Sequence, residues 1–317
     1  MGARSRIEWT DASWNPVTGC TEVSPGCDHC YARDLAGRFA GTSAYPNGFE
    51  LTLRPKHLYD PLRWRRPRRV FVNSMSDLFH HLVPTQYIAQ VFATMALAPA
   101  HTFQILTKRP GRMASLLSSA AFRELVVSEL RTIAEAASAR SARQEIPELG
   151  EWPLANVWAG VSVESQKWAN VRVPVLQRTP AAVRFLSMEP LLSRVQLCTC
   201  DGAAYEIQRH PFLVNSSCPL HGTVPLDWII VGGESGPKAR PMHPDWPRGL
   251  QQACQATGVA YLFKQWGEWV PCAEPVAERD DVVRFPDGVV MRRVGRRQAG
   301  RELDGKTWDE YPAGGAA

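Results

Sequence analysis

Short apolar runs alternate with helix-compatible segments along most of this chain. Six runs have the length and the β-branched and aromatic content of buried strands, at residues 69–73, 102–107, 157–162, 183–187, 228–232 and 260–264. Segments with helical spacing of apolar residues lie before and between them, at residues 31–40, 86–97, 113–137, 165–176 and 247–256. Strands that alternate with helices are joined by crossover connections and lie parallel, so the pattern predicts an α/β fold.

The number of these units suits an open or partial barrel. With the segment before residue 41 there are six or seven strand–helix units, as expected for a partial (β/α)6-type TIM-like barrel. We assign the barrel to residues 1–197 and 223–270, which an insertion at residues 198–222 interrupts. Residues 271–317 are predicted to form a C-terminal extension that contains a hairpin around Pro286-Asp287-Gly288.

Composition and charge place few limits on function. The 317-residue chain carries a net charge of +5, which permits a nucleic-acid or phosphate partner without requiring one. No apolar run approaches the length of a transmembrane helix, and the N-terminus lacks the apolar core of a signal peptide. We therefore expect a cytoplasmic protein with no membrane partner. The arginine-rich run at residues 292–297 suits phosphate binding and suits a solvated loop equally well.

Polar or charged residues follow every predicted strand. In barrels of this kind, catalytic groups lie at the carboxyl ends of the strands and in the loops after them. Polar turn residues are common after strands, but four of the six runs here are followed within about two residues by a carboxylate or a lysine. We therefore predict a shared polar mouth built from Asn73, Ser74, Ser76, Asp77, Lys108, Arg109, Ser162, Glu164, Glu189, Glu234 and Lys264.

A turn-rich loop near the N-terminus carries three cysteines. Cys20, Cys27 and Cys30 have the spacing C-x6-C-x2-C, and the only nearby histidine at a suggestive position is His29. Three thiolates are one ligand short of a closed tetrahedral zinc site, which indicates a metal centre with an open position. An iron–sulfur cluster is such a centre, because Cys thiolates hold these clusters. A zinc knuckle and three unrelated buried cysteines are the alternatives, and the loop alone leaves them open.

A second group of candidate metal ligands lies within the predicted insertion. Cys198 and Cys200 are separated by seventeen residues from Cys218, and His221 follows at Cys-x2-His spacing. These are four ligands of the kind that zinc prefers, and turn-forming residues between them allow two knuckles to fold together. We predict a small structural zinc module here, with a flexible insertion that carries incidental thiols as the alternative.

Seven motifs in a fixed order resemble those of a known family. They are the three-cysteine loop with Tyr31 directly after it, Asn-Ser-Met-Ser-Asp-Leu-Phe (73–79), Leu-Thr-Lys-Arg-Pro (106–110), Gly-Val-Ser-Val-Glu (160–164), Ser-Met-Glu-Pro-Leu (187–191), Gly-Gly-Glu-Ser-Gly (232–236) and Phe-Lys-Gln-Trp-Gly (263–267). The set is similar to a phage and bacterial family placed in the radical S-adenosylmethionine (SAM) superfamily, near the spore photoproduct lyase branch. The resemblance covers nearly the whole chain and implies a partial barrel with a [4Fe–4S] cluster.

The resemblance also implies roles for individual residues. Cys20, Cys27 and Cys30 would ligate the cluster and leave one iron free for SAM. The amino group of SAM is expected near Asn73, Ser74, Ser76 and Asp77, and its ribose near Ser162 and Glu164. Lys108 and Arg109 would meet the SAM carboxylate or a substrate phosphate. The substrate side is assigned to Glu189, Glu234 and Lys264, which together with Lys108 form the candidate catalytic set.

The implied activity is that of a radical SAM enzyme, which cleaves SAM reductively and abstracts hydrogen from a substrate. Relatedness and the basic tail point to a nucleic acid or nucleotide as substrate, and the reduction calls for an electron donor such as flavodoxin or ferredoxin. One alternative is a zinc-stabilised nucleic-acid-binding protein without catalysis. Another is a hydrolytic barrel enzyme that uses Asp77, Glu164 and Glu189 on a divalent ion.

Overall fold

The computed structural model describes residues 5, 7–138, 148–197, 226–272 and 281–313. Its strands, in chain order, are β1 (Ala12–Trp14), β2 (Val17–Thr18), β3 (Thr52–Leu53), β4 (Arg69–Val72), β5 (Thr102–Thr107), β6 (Val157–Ser162), β7 (Val183–Met188), β8 (Trp228–Gly232), β9 (Ala260–Gln265), β10 (Trp269–Pro271), β11 (Val282–Arg284), β12 (Val290–Arg293), β13 (Glu302–Leu303) and β14 (Lys306–Thr307). Its helices are α1 (Tyr31–Arg38), α2 (Thr85–Ala96), α3 (Pro110–Leu117), α4 (Ala120–Ser138), α5 (Gln166–Arg178), α6 (Asp245–Thr257) and α7 (Arg296–Ala299).

A curled, half-barrel sheet of seven parallel strands forms the centre of this mixed α/β fold. The strand order is β1-β4-β5-β6-β7-β8-β9, so β1 and β9 lie at its two edges. All six predicted strands are confirmed as β4 to β9, and their bounds differ from the predicted ones by at most one residue. The first unit adds the short strand β1, which pairs with β4 just before the chain enters the cysteine loop.

The helices also follow the predicted pattern, with one division. The segment at 113–137, expected to be one or two helices, belongs to the two helices α3 and α4. Ser118 and Ser119 separate the two helices, and the Ser119 hydroxyl accepts a hydrogen bond from the backbone N–H of Phe122 at 3.3 Å. A serine in this position satisfies a free N–H group at the start of a helix, which favours a new helix over a continuous one.

Alternation along each strand separates the sheet into two faces. On β6, Val157, Ala159 and Val161 belong to the large core that the sheet forms with the helices. The opposite face carries an aromatic layer near the start of the strands, formed by Trp9, Phe71, Trp158, Phe185 and Trp228 with Val183, Ile230 and Leu262. The Trp228 ring centroid lies 5.9 Å from that of Trp158 and 5.7 Å from that of Phe185. Contacts of this kind contribute beyond simple burial, so the aromatic layer is a rigid floor for whatever lies above it.

The C-terminal extension packs against the half-barrel. The predicted hairpin is confirmed as β11 and β12, and β10 joins it in a three-stranded antiparallel sheet. The chain then returns to the main sheet, where the Trp228 indole N–H donates to the Glu310 carbonyl at 2.8 Å. The predicted zinc ligands Cys198, Cys200, Cys218 and His221 lie outside the described residues. Within the described ranges, every helix is too short or too polar to cross a membrane.

We predict that Gly160→Ala destabilises the fold, because a Cβ atom there would overlap the Phe185 ring in the aromatic layer. Overpacking of a buried site costs about 2 kcal/mol, measurable as a lower free energy of unfolding in urea. Gly249→Ala is the matched control: it lies within α6 with open space around the added methyl group, so we expect unchanged or slightly higher stability. Equal stability of the two variants would contradict the prediction.

Candidate functional site

The carboxyl ends of the strands open on a cavity of about 430 Å³, a volume typical of small-molecule sites. Its polar lining follows from the alternation of side chains between the two faces of each strand, which also builds the aromatic layer. Side chains two residues apart share a face, so the chain places Asn73 after Phe71 and Lys264 after Leu262. On β4, β7 and β9 an apolar residue of the floor is therefore followed on the same face by a polar residue of the cavity wall, in the pairs Phe71 and Asn73, Phe185 and Ser187, and Leu262 and Lys264.

Twelve of the fourteen described residues to which the sequence assigns cofactor, metal or catalytic roles line this cavity, and Arg109 and Glu164 do not. The twelve are Cys20, Cys27, Cys30, Asn73, Ser74, Ser76, Asp77, Lys108, Ser162, Glu189, Glu234 and Lys264. Glu164 does not line the cavity, although it continues the same face of β6. The ring of strand-end polar groups therefore does meet at one place.

The cysteine loop closes one side of the cavity. Its start is fixed to the loop after β4, because the Gly19 N–H donates to the Met75 carbonyl at 3.0 Å. Its end leads directly into α1, with Cys30 as the residue before the first turn. The thiols of Cys20, Cys27 and Cys30 are all free and partly exposed. The loop therefore presents three unlinked thiols to the same space as the strand ends.

The three thiols do not form a compact ligand set. Among the described residues, the only set of three or more Cys, His, Asp or Glu ligand atoms that all lie within 4.8 Å of one another is His243, Asp245 and Asp287. At least one pair of the three cysteine sulfur atoms is therefore more than 4.8 Å apart.

Charged groups surround the first cysteine. Burial, followed by the negative charge of Asp77, raises the pKa of the Cys20 thiol to about 11, against an opposing effect of Arg109. The thiol is thus protonated at neutral pH, and a metal that binds it would displace the proton. Arg109 also donates to the Thr21 carbonyl at 3.1 Å and to its hydroxyl at 2.8 Å, which fixes the chain directly after Cys20.

Asn73 has the features expected of a ligand-binding side chain. It lies at the end of β4 with a φ of +62°, a left-handed conformation that costs a non-glycine residue about 1–2 kcal/mol. Its amide oxygen and nitrogen are both buried, and neither has a hydrogen-bond partner within the described residues. A buried polar group without a partner is unfavourable. A bound molecule with both a donor and an acceptor would relieve this cost.

Two of the predicted binding carboxylates are already engaged. The Asp77 carboxylate accepts hydrogen bonds from the Thr107 hydroxyl at 2.7 Å and the Lys108 N–H at 3.0 Å, so it holds the end of β5 in place. Glu164 is almost fully buried and forms an ion pair with Arg172, with Nη1 and Oε2 2.9 Å apart. Arg172 also donates to the Ser162 carbonyl at 2.9 Å. Glu164 therefore supports the end of β6 at Ser162 through Arg172.

Two lysines and a glutamate add charge to the cavity wall. The Lys264 ammonium donates to Glu189 Oε2 at 2.7 Å, while the buried Oε1 of Glu189 has no partner within the described residues. The Lys108 ammonium lies 3.4 Å from the Ser162 hydroxyl, on the side of the Glu164–Arg172 pair. Two ammonium groups and one carboxylate oxygen without a partner among the described residues are thus available to a bound molecule.

Glu234 belongs to the wall that faces the cysteine loop. Burial alone would raise its pKa, but hydrogen bonds from Arg240 and His29 and the charge of Arg240 outweigh burial and lower the pKa below its usual value. His29 Nδ1 lies 3.2 Å from Glu234 Oε1. Glu234 is therefore ionised at neutral pH and engaged by two basic side chains.

The structure adds residues that the sequence analysis did not single out. Arg240 is the most heavily bonded of them, and Glu8, paired with Arg296 at 2.8 Å, lines the cavity from the chain's N-terminal segment. Trp9 belongs to the aromatic floor and also lines the cavity. Glu8 and Trp9 precede the first strand, and Arg240 lies in the loop after β8 but well beyond the strand end, so the pattern of strand-end residues did not single them out.

Fold and site together define a half-barrel α/β protein with a three-cysteine cavity at the carboxyl ends of its strands. The sequence model of a family described as protein of unknown function, DUF5131, matches residues 4–312. The match spans nearly the whole chain, so the chain belongs to the DUF5131 family. No protein among the curated sequences matches it.

Two solved structures show a distant similarity. A spore photoproduct lyase complexed with dinucleoside spore photoproduct has 10% sequence identity and a TM-score of 0.36, over 89% of this chain and 68% of that one. A mutant of spore photoproduct lyase with bound AdoMet and the same dinucleoside has 9% identity and a TM-score of 0.36, over 90% of this chain and 69% of that one.

We predict that Glu164→Gln destabilises the protein by about 3 kcal/mol, because it leaves the buried Arg172 charge without its partner. The double variant with Arg172→Met removes both charges and should recover much of this loss. Urea unfolding of the two variants and the unchanged protein measures both effects. A Glu164→Gln variant of unchanged stability would contradict the structural role of this pair.

Proposed function

We propose that this protein is a radical SAM enzyme in which Cys20, Cys27 and Cys30 hold a [4Fe–4S] cluster. The observation that carries the proposal is the convergence of three free, partly exposed thiols on the cavity formed by the polar strand ends. The half-barrel would then be the partial TIM-like barrel expected from the sequence.

The residues present fit the proposed groups. Three thiolates satisfy three irons of a cubane cluster and leave the fourth iron open to a small molecule. The unpartnered amide of Asn73 offers a donor and an acceptor to the amino and carboxylate groups of SAM. Ser74, Ser76 and Ser162 line the same cavity and supply further hydroxyls. When bound, cluster and SAM would supply reductive cleavage of the sulfonium and hydrogen-atom abstraction from a substrate.

The chain's own residues would bind and orient the reactants. Lys108 would hold the SAM carboxylate, since its ammonium faces the cavity beside the Ser162 hydroxyl. Asp77 would shape the wall beside Cys20 and would not meet SAM directly, because its carboxylate already accepts hydrogen bonds from Thr107 and Lys108. Arg109 would hold the chain after Cys20 through its bonds to Thr21. Glu164 would support Ser162 through Arg172 and would not contact the ribose.

The substrate would lie on the side of Glu189 and Lys264. The Oε1 atom of Glu189 would accept a hydrogen bond from the substrate, while the Lys264 ammonium holds the carboxylate in position through Oε2. Arg296 lies at the cavity edge and Arg297 is exposed beside it, so the basic run places positive charge where a nucleotide or nucleic-acid phosphate would lie. We therefore propose a nucleic acid or nucleotide as substrate.

The remaining expectations extend the proposal. An electron donor such as flavodoxin or ferredoxin would reduce the cluster through the partly exposed cysteine loop. A cytoplasmic location suits free cysteines that bind metal. Residues 198–222 would form a separate zinc-binding module between the two parts of the barrel, and residues 271–317 the extension.

We expect protein purified without oxygen to be brown and to contain about four iron atoms per chain with matching sulfide. Cys27→Ala should lose the iron and the ability to convert SAM to 5′-deoxyadenosine. Cys272→Ala is the control, since Cys272 is equally a free, partly exposed thiol but does not line the cavity. If the protein without substitutions contains zinc and no iron, the non-catalytic zinc-stabilised protein is favoured instead. If Cys27→Ala retains iron, the assignment of Cys27 as a ligand is contradicted.

We also predict that Lys108→Met weakens SAM binding to the iron-loaded protein about tenfold, the effect of losing one charge-assisted contact. Equilibrium titration with SAM measures the dissociation constant. Lys167→Met removes an exposed lysine from α5, outside the cavity, and should leave the constant unchanged. An equal constant for Lys108→Met and the unchanged protein would remove Lys108 from the binding site.

A further inference from the structure

One arginine holds the second half of the cysteine loop. Arg240 Nη1 donates to Asp28 Oδ2 at 2.9 Å, and Nη2 donates to the Pro25 carbonyl at 3.0 Å. The same guanidinium holds Glu234, with Nη2 to Oε1 at 2.6 Å and Nε to Oε2 at 2.8 Å. A planar guanidinium carries enough donors in a fixed geometry to join the loop to the end of β8 in this way.

The loop itself has little apolar packing to keep it in place. Its only regular structure is the short 3₁₀ turn Pro25–Cys27, in which no residue is buried. Its first half is held by Gly19 and by Arg109, which contacts Thr21. Between Pro25 and Cys30, the contacts from distant parts of the chain include the bonds from Arg240, the pairing of His29 with Glu234 and the packing of Gly26 near Lys108 and Glu164. The position of Cys27 and Cys30 therefore depends strongly on polar contacts.

The segment that carries Arg240 is in turn held by the C-terminal extension and the turn leading into it. Trp269 Nε1 donates to the Ala239 carbonyl at 2.7 Å. Arg293 Nη2 donates to the Gly236 carbonyl at 2.9 Å and to the Pro237 carbonyl at 2.7 Å. Glu268 accepts a hydrogen bond from the Gly236 N–H at 2.9 Å. The backbone from 236 to 239 is thus bonded at three of its four residues.

We propose that the sheet formed by β10, β11 and β12 buttresses the cysteine loop through Arg240. In this arrangement Arg293 and Trp269 fix the backbone of residues 236–239, and this backbone aims the Arg240 guanidinium at Asp28 and Pro25. Arg240 is a positioning residue for Cys27 and Cys30. Its bearing on catalysis rests on the function proposed above, whereas the mechanical coupling does not require a bound cluster.

The charges around Arg240 make the coupling specific to an arginine. Asp28 and Glu234 are two carboxylates on opposite sides of one guanidinium, and both ion pairs are within 2.9 Å. A lysine at this position carries the same charge but lacks the planar fork, so it can bond to one of the three acceptors well and not to all. Arg240→Lys should therefore restore part of the loop order that Arg240→Ala loses.

Hydrogen–deuterium exchange of the purified full-length chain, read by mass spectrometry over residues 20–33, tests the coupling. We expect Arg240→Ala to speed amide exchange in residues 25–30 about tenfold, a loss of local stability of about 1.4 kcal/mol. Arg240→Lys should lie between this variant and the unchanged protein. Arg248→Ala is the matched control, because Arg248 bonds to Asp245 and Asp304 and does not touch the loop.

The decisive variants lie in the sheet of β10, β11 and β12, far from the loop in sequence. Arg293→Ala and Trp269→Phe each remove a donor to the 236–239 backbone, and both should speed exchange in residues 25–30 although neither side chain is bonded to the loop. Trp269→Phe keeps an aromatic ring, which guards against general unfolding. The spectrum of the reduced iron centre, measured by electron paramagnetic resonance, should change in the Arg240 and Arg293 variants and stay unchanged in Arg248→Ala.

The outcomes separate this inference from the proposed function. Loop exchange in Arg293→Ala and Trp269→Phe that equals the Arg248→Ala control would overturn the buttress. Unchanged amide exchange in residues 25–30 of Arg240→Ala would overturn the role of Arg240 in positioning the loop. If the variants show faster loop exchange and the protein binds no iron, the coupling is supported and the proposed enzyme activity is contradicted. If the protein binds iron and the variants show no change in exchange, the enzyme activity is supported and the coupling is contradicted.

Discussion

The aromatic layer on the inner face of the sheet is the constraint on which the rest of the molecule depends. Trp158, Phe185 and Trp228 pack ring against ring across neighbouring strands, and Gly160 leaves the space that the Phe185 ring fills. Because side chains along a strand alternate between two faces, fixing this layer also fixes which residue of each strand comes next on the same face. On β4, β7 and β9 that next residue is polar, and Asn73, Ser187 and Lys264 all line the cavity.

The cysteine loop, by contrast, gains its position from charge and hydrogen bonding. Arg109 holds the chain beside Cys20, and Arg240 holds the turn before Cys30. Such contacts are directional, so they can place thiols accurately without burying them. The loop is partly exposed, so apolar burial contributes little to its position, and directional polar contacts hold it instead.

Much of this arrangement is present in the local pattern of the chain. The six strands from β4 to β9 are confirmed because each is a run of β-branched and aromatic residues bounded by polar turns, a signal that depends only on near neighbours. The ring of strand-end groups follows from the same pattern, because parallel strands bring their carboxyl ends to one edge. Glu164 departs from its predicted position at the cavity because α5 supplies Arg172, and a buried carboxylate is stable only beside such a partner.

By itself, then, the sequence determined the order of strands and helices, the polar edge of the sheet and the three thiols that open on it. The tertiary structure decided which polar and charged side chains are paired: the Asn73 amide is left without partners among the described residues, whereas the Asp77 and Glu164 carboxylates are engaged. It also decided the role of Arg240, whose bond to Asp28 joins residues 212 positions apart. The reason is physical, because periodicity acts over a few residues, whereas the choice of a distant ionic partner depends on the path of the whole chain.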